Sequence, residues 1–102
     1  MPASNSSFSV ASLARTSSIL GTIEARDGRY AAAAAALRRA TALEPDVAKY
    51  QVMLGWALLL QGQPLEALPP LERALQLEPR HPEAMIVMAK ANLALDRRAE
   101  AE

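Results

Sequence analysis

Several kinds of residue are scarce in this chain, and each absence excludes a class of chemistry. There is no cysteine, which excludes disulfide bonds, thiolate catalysis and cysteine-ligated zinc. The only histidine, His81, lies between Arg80 and Pro82, without a nearby carboxylate pair or a glycine-rich phosphate loop. We therefore expect no enzyme activity, no metal site and no cofactor.

Neither sign of charge is in excess, because 11 lysine and arginine residues balance 11 acidic residues. No surplus of positive charge is available to neutralise a nucleic-acid backbone or an anionic membrane surface. The longest apolar stretch, 52–60, is about half the length that spans a bilayer and is interrupted by Gly55. We expect neither a nucleic-acid partner nor a membrane protein.

The N-terminal residues 1–9 are rich in serine and lack the cationic start and apolar run of a secretory signal. We interpret them as a flexible segment that precedes one folded domain at 10–102. The absence of cysteine also fits a reducing compartment, so the expected location is the cytoplasm.

Helix-forming residues in a repeating order make up most of what remains. Hydrophobic residues account for 51% of the sequence, alanine and leucine dominate, and aromatic and β-branched residues are few. A set of small and apolar residues returns after 34 positions, which is typical of stacked helical units that bury their apolar faces only against one another. The recurring pairs are Gly21 and Gly55, Gly28 and Gly62, Ala33 and Ala67, Leu37 and Leu71, Ala40 and Ala74, Leu43 and Leu77, Glu44 and Glu78, and Pro45 and Pro79.

Glycine and proline mark the ends of the predicted helices. Gly28 and Gly62 can adopt the left-handed conformation that ends a helix, whereas Pro45 and Pro79 cannot continue one. These signals predict five helices, at 10–26, 30–43, 47–60, 65–77 and from 82 onward.

Packing inside each predicted unit depends on small residues. Gly21 and Gly55 would let the paired helices approach closely. One interruption is expected, because Pro69 and Pro70 remove two backbone donors and predict a kink or a delayed start in the fourth helix. The leucines predicted to fill the seam between paired helices are Leu20, Leu37, Leu54 and Leu71.

These residues resemble the tetratricopeptide repeat family, whose unit reads W-x2-L-G-x2-Y, then A-x3-F-x2-A, then P. The resemblance covers residues 14–102, although its aromatic positions hold other residues, such as Gln51 and Leu71. It implies an all-α solenoid of antiparallel helix pairs, with two complete units at about 14–47 and 48–81 and a terminal helix in a partial unit at 82–102. The matching residues are Leu20, Gly21, Ala33, Leu37, Ala40 and Pro45 in the first unit, and Leu54, Gly55, Leu58, Ala67, Leu71, Ala74 and Pro79 in the second.

The resemblance also implies a function in protein binding rather than catalysis. In this family a concave groove, lined mainly by the first helix of each unit, holds the partner. Trp56, the only tryptophan, is our candidate anchor for a partner side chain, and packing against a neighbouring helix is the structural alternative. The groove positions that the resemblance implies are Arg15, Arg26, Lys49, Val52, Trp56, Leu59, Leu60, Ile86, Lys90 and Leu93.

An apolar groove with a cationic fringe suits an amphipathic helix or an extended apolar segment that carries some acidic residues. The cationic donors of a carboxylate clamp for chaperone tails are missing at the matching positions, and Glu83 there would repel a carboxylate. We expect a small adaptor or chaperone, with a bacterial type III secretion chaperone as one alternative. The other alternative is a structural unit that forms homo-oligomers through its terminal helix, whose apolar residues include Met85, Ile86 and Leu93.

Overall fold

The chain is all-α, as predicted. A computed structural model describes residues 9–101, and side-chain burial is described for residues 9–97. Five helices follow one another in this part of the chain: α1 (Val10–Arg26), α2 (Tyr30–Leu43), α3 (Ala48–Leu60), α4 (Pro64–Leu77) and α5 (Pro82–Ala101).

Ser9 caps the first helix. Its hydroxyl oxygen accepts a hydrogen bond from the Ser12 backbone N–H at 3.2 Å, which satisfies one of the four donors that a helix start leaves unpaired. Apart from Ser9, the N-terminal segment predicted at 1–9 lies outside the described residues.

Helix α4 departs from the prediction at its start and at its two internal prolines. It begins at Pro64 instead of residue 65, and a proline at the first helical position sacrifices no hydrogen bond because that N–H would be unpaired in any case. The Ala67 N–H already donates to the Gln63 carbonyl at 3.1 Å, and the helix continues through Pro69 and Pro70. The prediction that the two prolines delay the start of this helix is therefore wrong. Helix α3 differs by one residue and begins at Ala48 instead of residue 47.

Both helix pairs turn in the same way. Gly28 has φ +80° and Gly62 has φ +85°, the left-handed conformation predicted for these positions. After the first glycine the Arg29 N–H donates to the Glu24 carbonyl at 2.8 Å, and after the second the Gln63 N–H donates to Leu58 at 2.9 Å. The two bonds lie one repeat period apart, so the turns have equivalent hydrogen bonding.

The helices stack in chain order. Each helix packs against the next, and α3 also contacts α1 and α5, which sets the first helices of the three units side by side. The recurring alanines and leucines form the centre of the stack, with Leu37 and Leu71 fully or almost fully buried. At the closest approach, a Cβ atom on Gly55 would lie 2.6 Å from Leu71 Cγ, so any larger residue there would have to displace Leu71.

Leu20 does not fill the seam between α1 and α2, contrary to the prediction. It is 48% exposed, whereas Leu54, one period later, is 5% exposed. Helix α3 packs against α2 of the preceding unit as well as against α4, but no helix in the described part of the chain precedes α1. The same repeat position is therefore interior in the second unit and open in the first.

Candidate partner-binding groove

Two apolar cavities lie along the row formed by α1, α3 and α5, and together we call them the groove. The first has a volume of about 380 Å³ and lies between α1, α2 and α3. The second, of about 260 Å³, lies between α3 and α5. The first is lined by Gly21, Thr22, Ala25, Arg26, Tyr30, Leu37, Met53, Trp56, Ala57 and Leu60. The second is lined by Val52, Met53, Trp56, Glu83, Ile86, Val87 and Lys90.

Trp56 and Met53 form the wall that the two cavities share. They lie one helical turn apart on α3, and spacing of three or four residues puts side chains on one face of a helix. Trp56 remains 37% exposed, although its neighbour Ala57 is 1% exposed and belongs to the core. The indole is therefore a surface group that stands between two hollows.

Lys90 lies against the face of this indole. Its Nζ atom is 5.1 Å from the centroid of the Trp56 ring, a cation–π contact between α5 and α3. The two residues occupy the same repeat position, one period apart, so the contact joins equivalent sites of neighbouring units. It restrains the ring and places a positive charge at the rim of the second cavity.

Three charged side chains border the groove. Arg26 lines the first cavity, and Glu83 and Lys90 line the second. Within residues 9–97, the two ion pairs join Arg29 to Glu24 and Arg73 to Asp46, so no groove charge is neutralised by either. The groove is thus an apolar surface with separate positive and negative positions at its edge.

Comparison with protein families decides the identity of the fold. A model of the tetratricopeptide repeat matches residues 20–82, more than half of the chain. The chain belongs to the tetratricopeptide repeat family. A comparison with curated proteins gives no match. Tetratricopeptide repeats generally mediate protein–protein interaction, and their fold is typically non-catalytic.

The structure brings six of the ten predicted groove residues of this tetratricopeptide repeat domain to the two cavities. These are Arg26, Val52, Trp56, Leu60, Ile86 and Lys90. The other four line neither cavity: Arg15, Lys49 and Leu93 are exposed elsewhere, and Leu59 is half-buried against the core.

Met53 and Tyr30 line the groove but were missed as groove residues. Met53 could have been found by stepping back one helical turn from Trp56. Tyr30 opens α2, the second helix of its unit, and the family pattern directs attention to first helices. Nothing in the sequence distinguishes Tyr30 from a residue that ends a turn.

Helix α5 exposes part of its apolar surface. Met85, Ile86 and Leu93 are each more than half exposed, whereas Val87 and Ala91 are buried against the stack. Ile86 belongs to the second cavity, so part of this surface is continuous with the groove. Within the described residues, no helix is long and apolar enough to cross a membrane.

Proposed function

We propose that this tetratricopeptide repeat domain is a small adaptor or chaperone that binds a segment of a partner polypeptide in the groove. The observation that carries the proposal is the position of Trp56, 37% exposed between two apolar cavities. Tryptophan is enriched among the residues that dominate binding energy, especially where a pocket excludes water from it. A partner that buries the exposed part of the Trp56 ring would therefore gain binding energy from it.

The side chains that line the two cavities indicate which kind of partner segment the groove would bind. Two adjoining apolar cavities fit a segment that presents two apolar side chains, one on each side of Trp56. Arg26 and Lys90 favour an acidic residue beside each apolar one, while Glu83 disfavours an acid at the far side of the second cavity. An amphipathic helix or an extended strand with this pattern would satisfy both requirements.

Peptide-display selection on the immobilised domain tests the proposal, followed by calorimetric titration of the selected peptides. Trp56→Ala should weaken their binding by at least about tenfold, the loss typical of an anchor residue. Leu65→Ala is the matched control, because Leu65 is 66% exposed on α4 and lines neither cavity. Equal binding to wild type and Trp56→Ala would refute groove recognition.

A second readout uses the single tryptophan of the chain. Because Trp56 is the only indole, fluorescence excited at wavelengths that tyrosine does not absorb reports on Trp56 alone. A peptide that fills either cavity should remove water from the ring and shift its emission to shorter wavelength. A peptide that binds with no change in emission would bind outside the groove. A chaperone, unlike an adaptor, should also keep an aggregation-prone partner in solution.

A further inference from the structure

The second cavity of the groove carries one charge of each sign at its rim. Glu83 and Lys90 line this cavity, both residues are exposed, and neither belongs to the two ion pairs found within residues 9–97. They are seven residues apart on α5, with Ile86 and Val87 between them on the same face of the helix. The cavity is therefore an apolar hollow with an acidic end and a basic end.

The two charges do not recur with the 34-residue repeat. One period earlier, the positions of Glu83 and Lys90 hold Lys49 and Trp56. Lys49 lines neither cavity, and the only charged side chain at the first cavity is Arg26. Of the two cavities, only the second has charges of both signs.

Contact with Trp56 holds the basic end of the cavity in place. The Lys90 Nζ atom lies 5.1 Å from the centroid of the indole ring. An ammonium group has three N–H donors, and a ring face offers them no oxygen acceptor, so Lys90 can pair with a carboxylate without leaving the ring. Part of the conformational freedom that a surface lysine loses in an ion pair is already lost here. Lys90 is thus prepared to bind an acidic residue.

The separation of the two charges favours a partner that is helical. Seven residues of α5 separate the Cα atoms of Glu83 and Lys90 by about 10.5 Å along the helix axis. A partner helix repeats this distance between residues i and i+7, which lie on one face. An extended strand covers it in about three residues, and side chains at that spacing point to opposite faces. A helix can therefore meet both charges, whereas a strand meets one.

Given the proposed function, on which this inference rests, we propose that the part of the partner in the second cavity is an amphipathic helix antiparallel to α5. It carries an acidic residue that pairs with Lys90 and, seven positions later, a basic residue that pairs with Glu83. Two apolar side chains, three and four positions after the acid, enter the cavity against Val87.

The order of the partner's charges fixes its direction. An acid near the N-terminus of a helix and a base near its C-terminus interact favourably with the helix dipole, so acid before base stabilises the partner helix itself. Glu83 lies in the first turn of α5, and Lys90 lies closer to the C-terminal end. A helix with its acid at Lys90 and its later base at Glu83 therefore runs opposite to α5.

Designed peptides test this direction. The probe is a capped, alanine-based peptide of about 15 residues without aromatic side chains, long enough for partial helicity. It carries glutamate, two leucines and lysine at positions i, i+3, i+4 and i+7, and a nitroxide beside either the glutamate or the lysine. A nitroxide quenches a nearby indole. Because Lys90 contacts Trp56 and Glu83 lies about two turns away, the label beside the glutamate should cause the greater loss of Trp56 emission. Glutamine at both charged peptide positions should weaken binding by about fivefold at low salt.

Exchange of the two rim charges should reverse the direction. In Glu83→Lys/Lys90→Glu, the acidic end of the same peptide pairs at position 83, so the label beside the peptide lysine should become the stronger quencher. Glu72→Lys/Arg80→Glu is the matched control, because both residues are exposed and line neither cavity, and the net charge is again unchanged. This control should quench like wild type. Circular dichroism should show wild-type helix content for both variants, since all four residues are exposed.

The outcomes separate a wrong direction from a wrong binding site. Equal quenching by both labels in wild type, or the same stronger label after the charge exchange, would overturn the antiparallel helix. Display-selected peptides that require Trp56 but lack an acid seven residues before a base would also overturn it, and the proposed function would stand. If no selected peptide requires Trp56, both fail. Because α5 itself has acid before base at this spacing, a wild-type dimer in sedimentation velocity that Lys90→Glu disperses would identify a second copy as the occupant instead.

Discussion

Gly55→Ala is expected to destabilise this domain, although alanine is the better helix former. In an exposed helix interior the same change would add about 1 kcal/mol to the free energy of unfolding. At Gly55 the new methyl group would lie 2.6 Å from Leu71 Cγ and 2.7 Å from Leu71 Cδ2. Carbon atoms in contact prefer about 3.5–4.0 Å, so α3 and α4 would have to separate or Leu71 would have to leave its rotamer.

The size of the effect follows from the surroundings of Leu71. Its side chain has 0% exposure, so no neighbouring space accepts a displaced methyl group. Overpacking of a filled core costs about 1–3 kcal/mol, and three atoms in close contact place Gly55 toward the upper part of that range. After the gain in helix propensity, the net loss should be about 1–2 kcal/mol, or roughly 5–10 °C in melting temperature.

Urea unfolding followed by circular dichroism measures this loss, and Gly21→Ala serves as the matched comparison. A methyl group on Gly21 would lie 2.7 Å from Leu37 Cγ but 3.1 Å from Leu37 Cδ2. Helix α1 also has a neighbour on only one side and can shift outward. Gly21→Ala should therefore destabilise less than Gly55→Ala.

A double-mutant cycle isolates the contact. Leu71→Ala alone should cost about 2–5 kcal/mol, and sucrose in all samples keeps this variant folded. In the Leu71→Ala background, Gly55→Ala should stabilise, because the clash is gone and the helix propensity remains. The reasoning is refuted if Gly55→Ala stabilises the wild type, or if its effect has the same sign in both backgrounds.

Three further changes test other parts of the structure by the same urea unfolding. Gly28→Ala should cost about 1–2 kcal/mol from backbone conformation alone, since φ is +80° and a Cβ there meets no atom within 4 Å; no loss would contradict this. Gln51→Ala should cost about 1–2 kcal/mol, because the buried Gln51 amide donates to the Pro45 carbonyl at 3.0 Å and its removal leaves that carbonyl without this donor. A cost below about 0.3 kcal/mol would contradict this expectation. Asp46→Ala should cost less than about 1 kcal/mol, and less still in high salt, because its 2.6 Å pair with Arg73 is at the surface; a larger, salt-independent loss would show that Asp46 does more than form this pair.

The helices could be predicted from the sequence because their ends depend on local chemistry. Gly28 and Gly62 take the left-handed conformation wherever such a turn is needed, and a 34-residue period places both turns. The error at α4 had a local cause as well, because Pro64 suits the first position of a helix and could have been assigned there from its residue type. Pro69 and Pro70 lie inside the helix and Pro70 is buried, and local rules for proline did not predict that the helix would continue through both.

The exposure of Leu20 shows where prediction from the repeat period fails. The period assigns Leu20 and Leu54 the same role, but a repeat position is buried only if its neighbour is present. Likewise, Arg15 and Lys49 sit at groove positions of the family but line neither cavity. The position in the repeat period predicts which face of a helix a residue occupies. Whether that face is buried depends on which helices pack against it.

Among the described helices, only α3 contacts all four of the others, α1, α2, α4 and α5. By contrast, α1 has no described contact with α4 or α5, so either end of the stack can open without disturbing the other. Native-state hydrogen exchange should therefore be slowest for the amides in the middle of α3 and become faster toward both ends of the stack. Trp56 lies on this slowest helix, so the proposed anchor would keep its position while the ends of the domain open and close around it.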